Sequence, residues 1–249
     1  MSQIYNYPVN FNIPKVAFYG KPAVSEPVKI NRRDEFISSP LIDKYLNKNA
    51  ILLEAKQNQR IKELMSAYNL PVKVNENAIK TLQDSKHMQN TRLIAINTYS
   101  SLPQELKKTV NPRQLQEAAM VHDVGKTLIP NEILNKKGAL NPQEREIMEL
   151  HSELGYELLK NRGFDLKTLD LIKNHHQNIE GTGYPAVSAG YKHGIDAQIL
   201  SAADKYSALT EKRSYKEALS REQALSIIEE DVNNGIISPE VFEALRKAV

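Results

Sequence analysis

Asn111-Pro112-Arg113-Gln114, Asn141-Pro142-Gln143-Glu144 and Ser220-Arg221-Glu222-Gln223 share one pattern, a short capping side chain three residues ahead of Glu or Gln. The first turn of a helix has backbone N–H groups without partners. An Asn or Ser side chain accepts from one of them, and the Glu or Gln reaches back to the cap's own N–H. Proline in second place, as in the first two stretches, suits the first helical residue, where no N–H is needed. Ser238-Pro239-Glu240 announces a last helix in the same way. After residue 75 no strand-like alternation of useful length appears, and no internal repeat is evident. The expectation is an all-α fold. One of its helices carries the apolar stripe Ile199, Ala202, Ala203, Tyr206 and Leu209, which leaves Asp204 and Ser207 on the adjoining side, where a cavity could lie.

The chain divides into three parts. Residues 1–40 carry repeated Pro, Asn and aromatic punctuation without helical periodicity, and read as an extended or disordered tail. Residues 41–75 read as a short accessory of one or two amphipathic helices, on the pattern Leu41, Tyr45, Leu46, Leu52, Leu53, Ile61, Leu64, Met65. Residues 76–249 form the main helical domain. With 249 residues, 41% hydrophobic and 25% charged, there is material for one good-sized core. No cysteine is present, which excludes disulfides, thiolate zinc sites and thiol catalysis, so any metal must be held by His and carboxylates. No apolar run is long enough to span a bilayer and no signal-peptide core opens the chain, so a cytoplasmic protein without a membrane partner is expected. The net charge of +3 and pI near 8.8 suit an anionic substrate. The lysines are scattered without interleaved aromatics, so a nucleic-acid polymer is not indicated.

Chemistry concentrates in His122-Asp123-Val124-Gly125-Lys126 and in His175-His176-Gln177-Asn178-Ile179-Glu180-Gly181-Thr182-Gly183-Tyr184-Pro185. An adjacent His-Asp pair offers a neutral nitrogen and an anionic oxygen, a mix suited to Fe, Mn or Zn rather than Ca. Lys126 follows one turn beyond His122, after a glycine read as letting the backbone turn, and could bring an ammonium to a bound anion. His151 stands alone in Glu149-Leu150-His151-Ser152-Glu153, and Asp204 sits among small residues in Ala202-Ala203-Asp204-Lys205. Singly, each has a plain reading: a core or surface histidine, an exposed helix acid, a Gly/Pro loop. His193, in Tyr191-Lys192-His193-Gly194, falls outside every motif and reads as an exposed loop residue.

The order His87, His122-Asp123, His151, His175-His176, Asp204 resembles the HD superfamily of phosphohydrolases, and Gly181-Thr182-Gly183-Tyr184-Pro185 resembles its HD-GYP subgroup, over roughly residues 80–249. The resemblance implies an HD-domain helical bundle that hydrolyses cyclic di-GMP, to a linear dinucleotide or GMP, with two or three metal ions, commonly iron or manganese. Carried over, the metal ligands are His87, His122, Asp123, His151, His175, His176 and Asp204, with Asp123 bridging. Lys126, Tyr184, Arg213 and Lys216 face the substrate, and Asp123 and Lys126 are the catalytic pair. His87 enters through Lys86-His87-Met88-Gln89-Asn90-Thr91, if Thr91 and Asn90 take the family's Val and Arg places; Thr91, Ile94 and Ala95 then follow it along one face.

This chain departs from the pattern at three places. Gln177 stands where the family has Glu, removing a carboxylate that could orient a ligand. Ser207 replaces an Asp one turn after Asp204, weakening an acceptor. Gln83 occupies the place of a Glu that trinuclear members use, so two divalent ions, Fe or Mn, are expected rather than three. Two rival readings stand beside the cyclic di-GMP phosphodiesterase: a hydrolase of another nucleotide, and a non-catalytic signalling module made plausible by Gln177 and Ser207. A homodimer or a signalling partner is compatible with any of them.

Overall fold

Each of the four capping signals opens a helix in the computed structural model, which describes residues 43–84, 86–211 and 217–249. Asn111 caps α6 (Pro112–Val121), its Oδ1 accepting from the N–H groups of Arg113 and Gln114. Asn141 and Glu144 close a reciprocal capping box at the start of α8 (Pro142–Leu159), and Ser220 and Gln223 do the same for α11 (Arg221–Asn233). Ser238 opens α12 (Pro239–Ala248) without a side-chain cap bond; its Oγ is buried without a partner, unlike the other three. The remaining elements are α1 (Lys48–Gln57), α2 (Gln59–Ser66), α3 (Glu76–Asp84), α4 (His87–Ser101), α5 (Gln104–Lys107), a 3-10 turn (Val124–Leu128), α7 (Asn131–Leu134), α9 (Leu166–Asn174) and α10 (Ile195–Thr210). The described residues contain no strand, and the fold is all-α as expected.

α4 lies at the centre, packed against α6, α10 and α12. Its inward face is His87, Thr91, Ala95 and Thr98, all buried at near-helical spacing, and it ends where Pro103 forces Leu102 into extended backbone. α9 packs on α6 and α8, and α8 packs on the 3-10 turn. Tyr45, Leu46, Ile51, Ile61 and Met65 of the N-terminal segment join the same continuous apolar core as Leu115, Leu154, Ile172 and Leu200. The accessory pattern differs in one place: α1 buries Ile51 and Ala55, leaving Leu53 59% exposed. The tail 1–40 lies outside the described residues, as do Arg213 and Lys216. No helix among the described residues is long and apolar enough to cross a membrane.

Gly125 supports the fold differently from the sequence reading. A Cβ there would fall 1.9 Å from the His151 carbonyl oxygen and 2.5 Å from the Gly155 backbone nitrogen. The residue is glycine because the 3-10 turn lies directly on the α8 backbone, not because the chain needs a special turn conformation. That contact brings the His122-Asp123 corner onto the turn of α8 that carries His151.

Candidate metal centre

His122 is the C-cap of α6 and Asp123 the residue before the 3-10 turn, so the pair sits where one helix ends and a tighter one begins. His175 is likewise the C-cap of α9. The last carbonyls of a helix lack intrahelical partners, and each of these imidazoles uses one: His122 Nδ1 is 2.9 Å from Ala119 O and His175 Nδ1 is 2.7 Å from Ile172 O. His151, within α8, places its Nδ1 2.7 Å from Met148 O. A carbonyl oxygen only accepts, so Nδ1 carries the proton in all three rings and Nε2 presents a lone pair.

These lone pairs converge. His151 Nε2 and His175 Nε2 are 3.3 Å apart with no proton left to place between them. One group of ligand-type atoms comprises His151, His175 and His176; a second comprises His87, His122 and Asp204; Asp123 lies within reach of both. Its Oδ1 is 3.6 Å from His151 Nε2, while its Oδ2 is 3.6 Å from His122 Nε2 and 3.8 Å from His87 Nε2. Asp123 Oδ1 and His122 Nε2 are buried without hydrogen-bond partners. Buried polar atoms are otherwise almost always satisfied, so opposed lone pairs and orphaned acceptors around one space fit cations that all of them would face. The sequence-predicted ligand set is therefore brought together in full.

Electrostatics fits the same reading. Burial pulls the His151 pKa down to about 3, helped by Lys126 and His176, and pulls His176 to about 4. Burial, then His176 and His122, hold His175 well below the ordinary range. The three rings are neutral, as ligands must be. Burial would raise the Asp123 carboxyl, but the Lys126 ammonium beside it outweighs burial and keeps it ionised. His87 behaves differently: burial opposes its charge, yet hydrogen bonds to Asp204 and Glu211 outweigh burial and lift its pKa to about 9. Its Nε2 is 2.9 Å from Asp204 Oδ1, so without a metal a proton takes that place.

Lys126 sits on the 3-10 turn, its Nζ 2.7 Å from Asp123 Oδ2 and partly open to solvent. Tyr184 stacks on His176, with ring centroids 4.6 Å apart and 28° between planes. The loop holding it folds back on the paired histidines: a Cβ on Gly183 would fall 2.2 Å from the His176 carbonyl oxygen. Gln177 fastens this loop, donating from Nε2 to Pro185 O at 2.5 Å and accepting at Oε1 from the Gly183 N–H at 3.0 Å. A carboxylate could not make the first of these bonds, so glutamine at 177 acts on the loop's backbone. Gln83 is exposed and donates to Asp43 Oδ1 at 3.2 Å. Ser207 is buried, with Oγ 3.0 Å from His87 Nδ1. The acceptor weakened by having serine there is made good by Glu211, whose Oε2 is 3.3 Å from the same nitrogen. Sequence reading missed Glu211, although Asp204, Ser207 and Glu211 follow one another at helical spacing. His193 is buried, not exposed: its carbonyl accepts from Gln198 Nε2 and its Nδ1 lies 3.2 Å from Tyr191 OH.

Comparison with known proteins agrees with this geometry. Residues 57–241 match the model of the HD domain family. The chain is 35% identical over 136 residues to a cyclic di-GMP phosphodiesterase of Thermotoga maritima, a match spanning 54% of this chain and 37% of that protein. It is also 35% identical over 136 residues to 3'3'-cGAMP-specific phosphodiesterase 3 of Vibrio cholerae, spanning 54% of this chain and 29% of that protein. The chain thus spans well under half the length of these curated relatives. Among solved structures, Bd1817, an HDG"Y"P protein from Bdellovibrio bacteriovorus, superposes with a TM-score of 0.52 at 19% identity, covering 86% of this chain and 66% of that one, a likeness of fold. With the His122-Asp123 pair inside the matched region, the chain belongs to the HD domain family.

Proposed function

We propose that this chain is a metal-dependent phosphodiesterase that hydrolyses a cyclic dinucleotide, cyclic di-GMP in the first instance, to a linear dinucleotide or GMP. The observation that carries the reading is the pair of opposed ligand groups, His151, His175, His176 and His87, His122, Asp204, on either side of Asp123. Relatives whose names specify cyclic di-GMP and 3'3'-cGAMP support the substrate class.

His151, His175 and His176 would hold one divalent ion, His87, His122 and Asp204 a second, and Asp123 would bridge them; Fe or Mn suits this mix of nitrogen and carboxylate. When bound, such a pair supplies Lewis acidity toward a phosphodiester and activates water for in-line attack. The chain's own residues do the rest. Asp123 and Asp204 are the only carboxylates in the seven-residue set, so two divalent ions leave a net positive centre that attracts a phosphodiester. Lys126, partly open to solvent beside Asp123, adds an ammonium that can move from the carboxylate to a non-bridging oxygen. Tyr184 stacks on His176 and is assigned to the substrate. Arg213 and Lys216 are assigned to the distal phosphate or a guanine, Arg through paired N–H donors. Gln83, directed to Asp43, is withdrawn from any third ion, which supports two.

Assays with cyclic di-GMP, 3'3'-cGAMP and a small generic phosphodiester test the reading. Arg213→Ala is expected to raise KM for the cyclic dinucleotide with metal content unchanged, and to leave the small ester, which never reaches the distal site, nearly unaffected. Equal loss on both substrates would place Arg213 in the catalytic centre or the fold. Absence of turnover on all three by metal-loaded protein would favour a binding module.

A further inference from the structure

The edge of His87 that faces away from the ligand cluster meets a carboxylate that no motif announces. His87 Nδ1 lies 3.0 Å from Ser207 Oγ and 3.3 Å from Glu211 Oε2, while Nε2 is turned to Asp204 at 2.9 Å. The other oxygen of Glu211, Oε1, accepts from Asn90 Nδ2 at 2.9 Å and from Ser207 Oγ at 3.2 Å. Asn90 stands three residues after His87 on α4, so one helix carries both the imidazole and the amide that anchors its carboxylate partner. Glu211 is the C-cap of α10, the end of a helix where the backbone dipole disfavours negative charge. An acid placed against its local preference, and held there by three partners, indicates a constraint beyond the helix itself.

We propose that Glu211 is a positioning residue of the metal centre: it accepts the Nδ1 proton of His87 and so fixes the tautomer in which Nε2 offers its lone pair to a divalent cation. The proposal rests on the metal reading given above. Ser207 alone is a neutral acceptor whose hydroxyl is shared with Glu211. A carboxylate behind an imidazole both orients the ring and raises its basicity, and loss of such a partner generally weakens metal affinity by about 10- to 100-fold. His122, His151 and His175 have backbone carbonyls behind them, which leaves His87 as the ligand of these four that depends on a side chain for its orientation.

Calorimetric titration of metal-stripped full-length protein with Mn²⁺ tests this. In Glu211→Ala one of two binding events should weaken by about 10- to 100-fold with the other unchanged, while Glu211→Gln, which keeps a carbonyl acceptor, should lose less. Adding Ser207→Asp to Glu211→Ala, which puts a carboxylate beside Nδ1, should restore affinity to within a few-fold. A merely structural role would instead lower the melting temperature of the metal-free variant and would not be rescued by Ser207→Asp. Unaltered Mn²⁺ affinity in Glu211→Ala, or no recovery in the double variant, would overturn the proposal. Should Glu211→Ala fail to fold, Glu211→Gln and the double variant carry the same comparison. Parent protein that takes up no Mn²⁺ would overturn the metal reading itself, and this proposal with it.

Discussion

Asp123 is the residue on which both ligand groups turn, since its two oxygens face different histidines and one of them has no other partner. Asp123→Ala is expected to strip at least one ion and abolish turnover while the far-UV helical signal persists; elemental analysis showing full occupancy would remove its bridging role. His193 carries a prediction of a different kind. Burial pulls its pKa from 6.5 to about 4, so between those values the unfolded chain takes a proton that the folded chain refuses. Its neutral form imposes no penalty above about pH 6.5, and stability falls as pH drops toward 4. The difference amounts to at most about 3 kcal/mol. Urea unfolding of metal-free His193→Gln at pH 7 and pH 4.5 should therefore show a shallower acid loss than the parent, and an identical loss would contradict it. The clustering of the seven residues was legible because two adjacent pairs, His122-Asp123 and His175-His176, anchor a fixed order that His87, His151 and Asp204 complete. His193 was not, because a histidine beside Gly194 looks like loop, and its burial depends on Tyr191 and Gln198 closing over it.

At the scale of elements, capping chemistry and backbone approach do separate jobs. The Asn141 box starts α8 at the surface, and Asn141→Ala should lower stability by about 1 kcal/mol with metal uptake unchanged. Gly125 holds the 3-10 turn against the same helix, and a methyl there must push the two backbones apart. Gly125→Ala should destabilise by roughly 2 to 3 kcal/mol or more, and should also impair metal uptake, because His122, Asp123 and His151 lie on the two surfaces that separate. Parallel thermal melts and Mn²⁺ titrations of the two variants would show whether they differ in this way. Helix starts could be read in advance because a cap is a local pattern of four residues. The role of Gly125 could not, since it depends on a backbone thirty residues away. Gln177 and Glu211 escaped for the same reason: each answers a group remote in sequence, the Pro185 carbonyl in one case and His87 in the other.

For the whole molecule, the architecture amounts to α4, α6, α8, α9 and α10 each bringing ligand-type atoms to one buried space, with the 3-10 turn packed against α8. The all-α class and the main core were readable from capping and periodicity, because a helical bundle is written largely in local terms. Which helices meet was not. The charge of the centre follows from this convergence: His151, His175 and His176 are buried and neutral, Asp123 and Asp204 are ionised, and together they form a donor set suited to cations. We propose that those cations are two divalent metal ions with which the chain cleaves a cyclic dinucleotide. Anaerobically purified protein, assayed for Fe and Mn content and then for cyclic di-GMP cleavage before and after chelation, tests it most directly. Two ions per chain are expected, with a cleavage activity that disappears with chelator and returns with added Mn²⁺; protein that holds no ion, or loaded protein that leaves every cyclic dinucleotide intact, would contradict this.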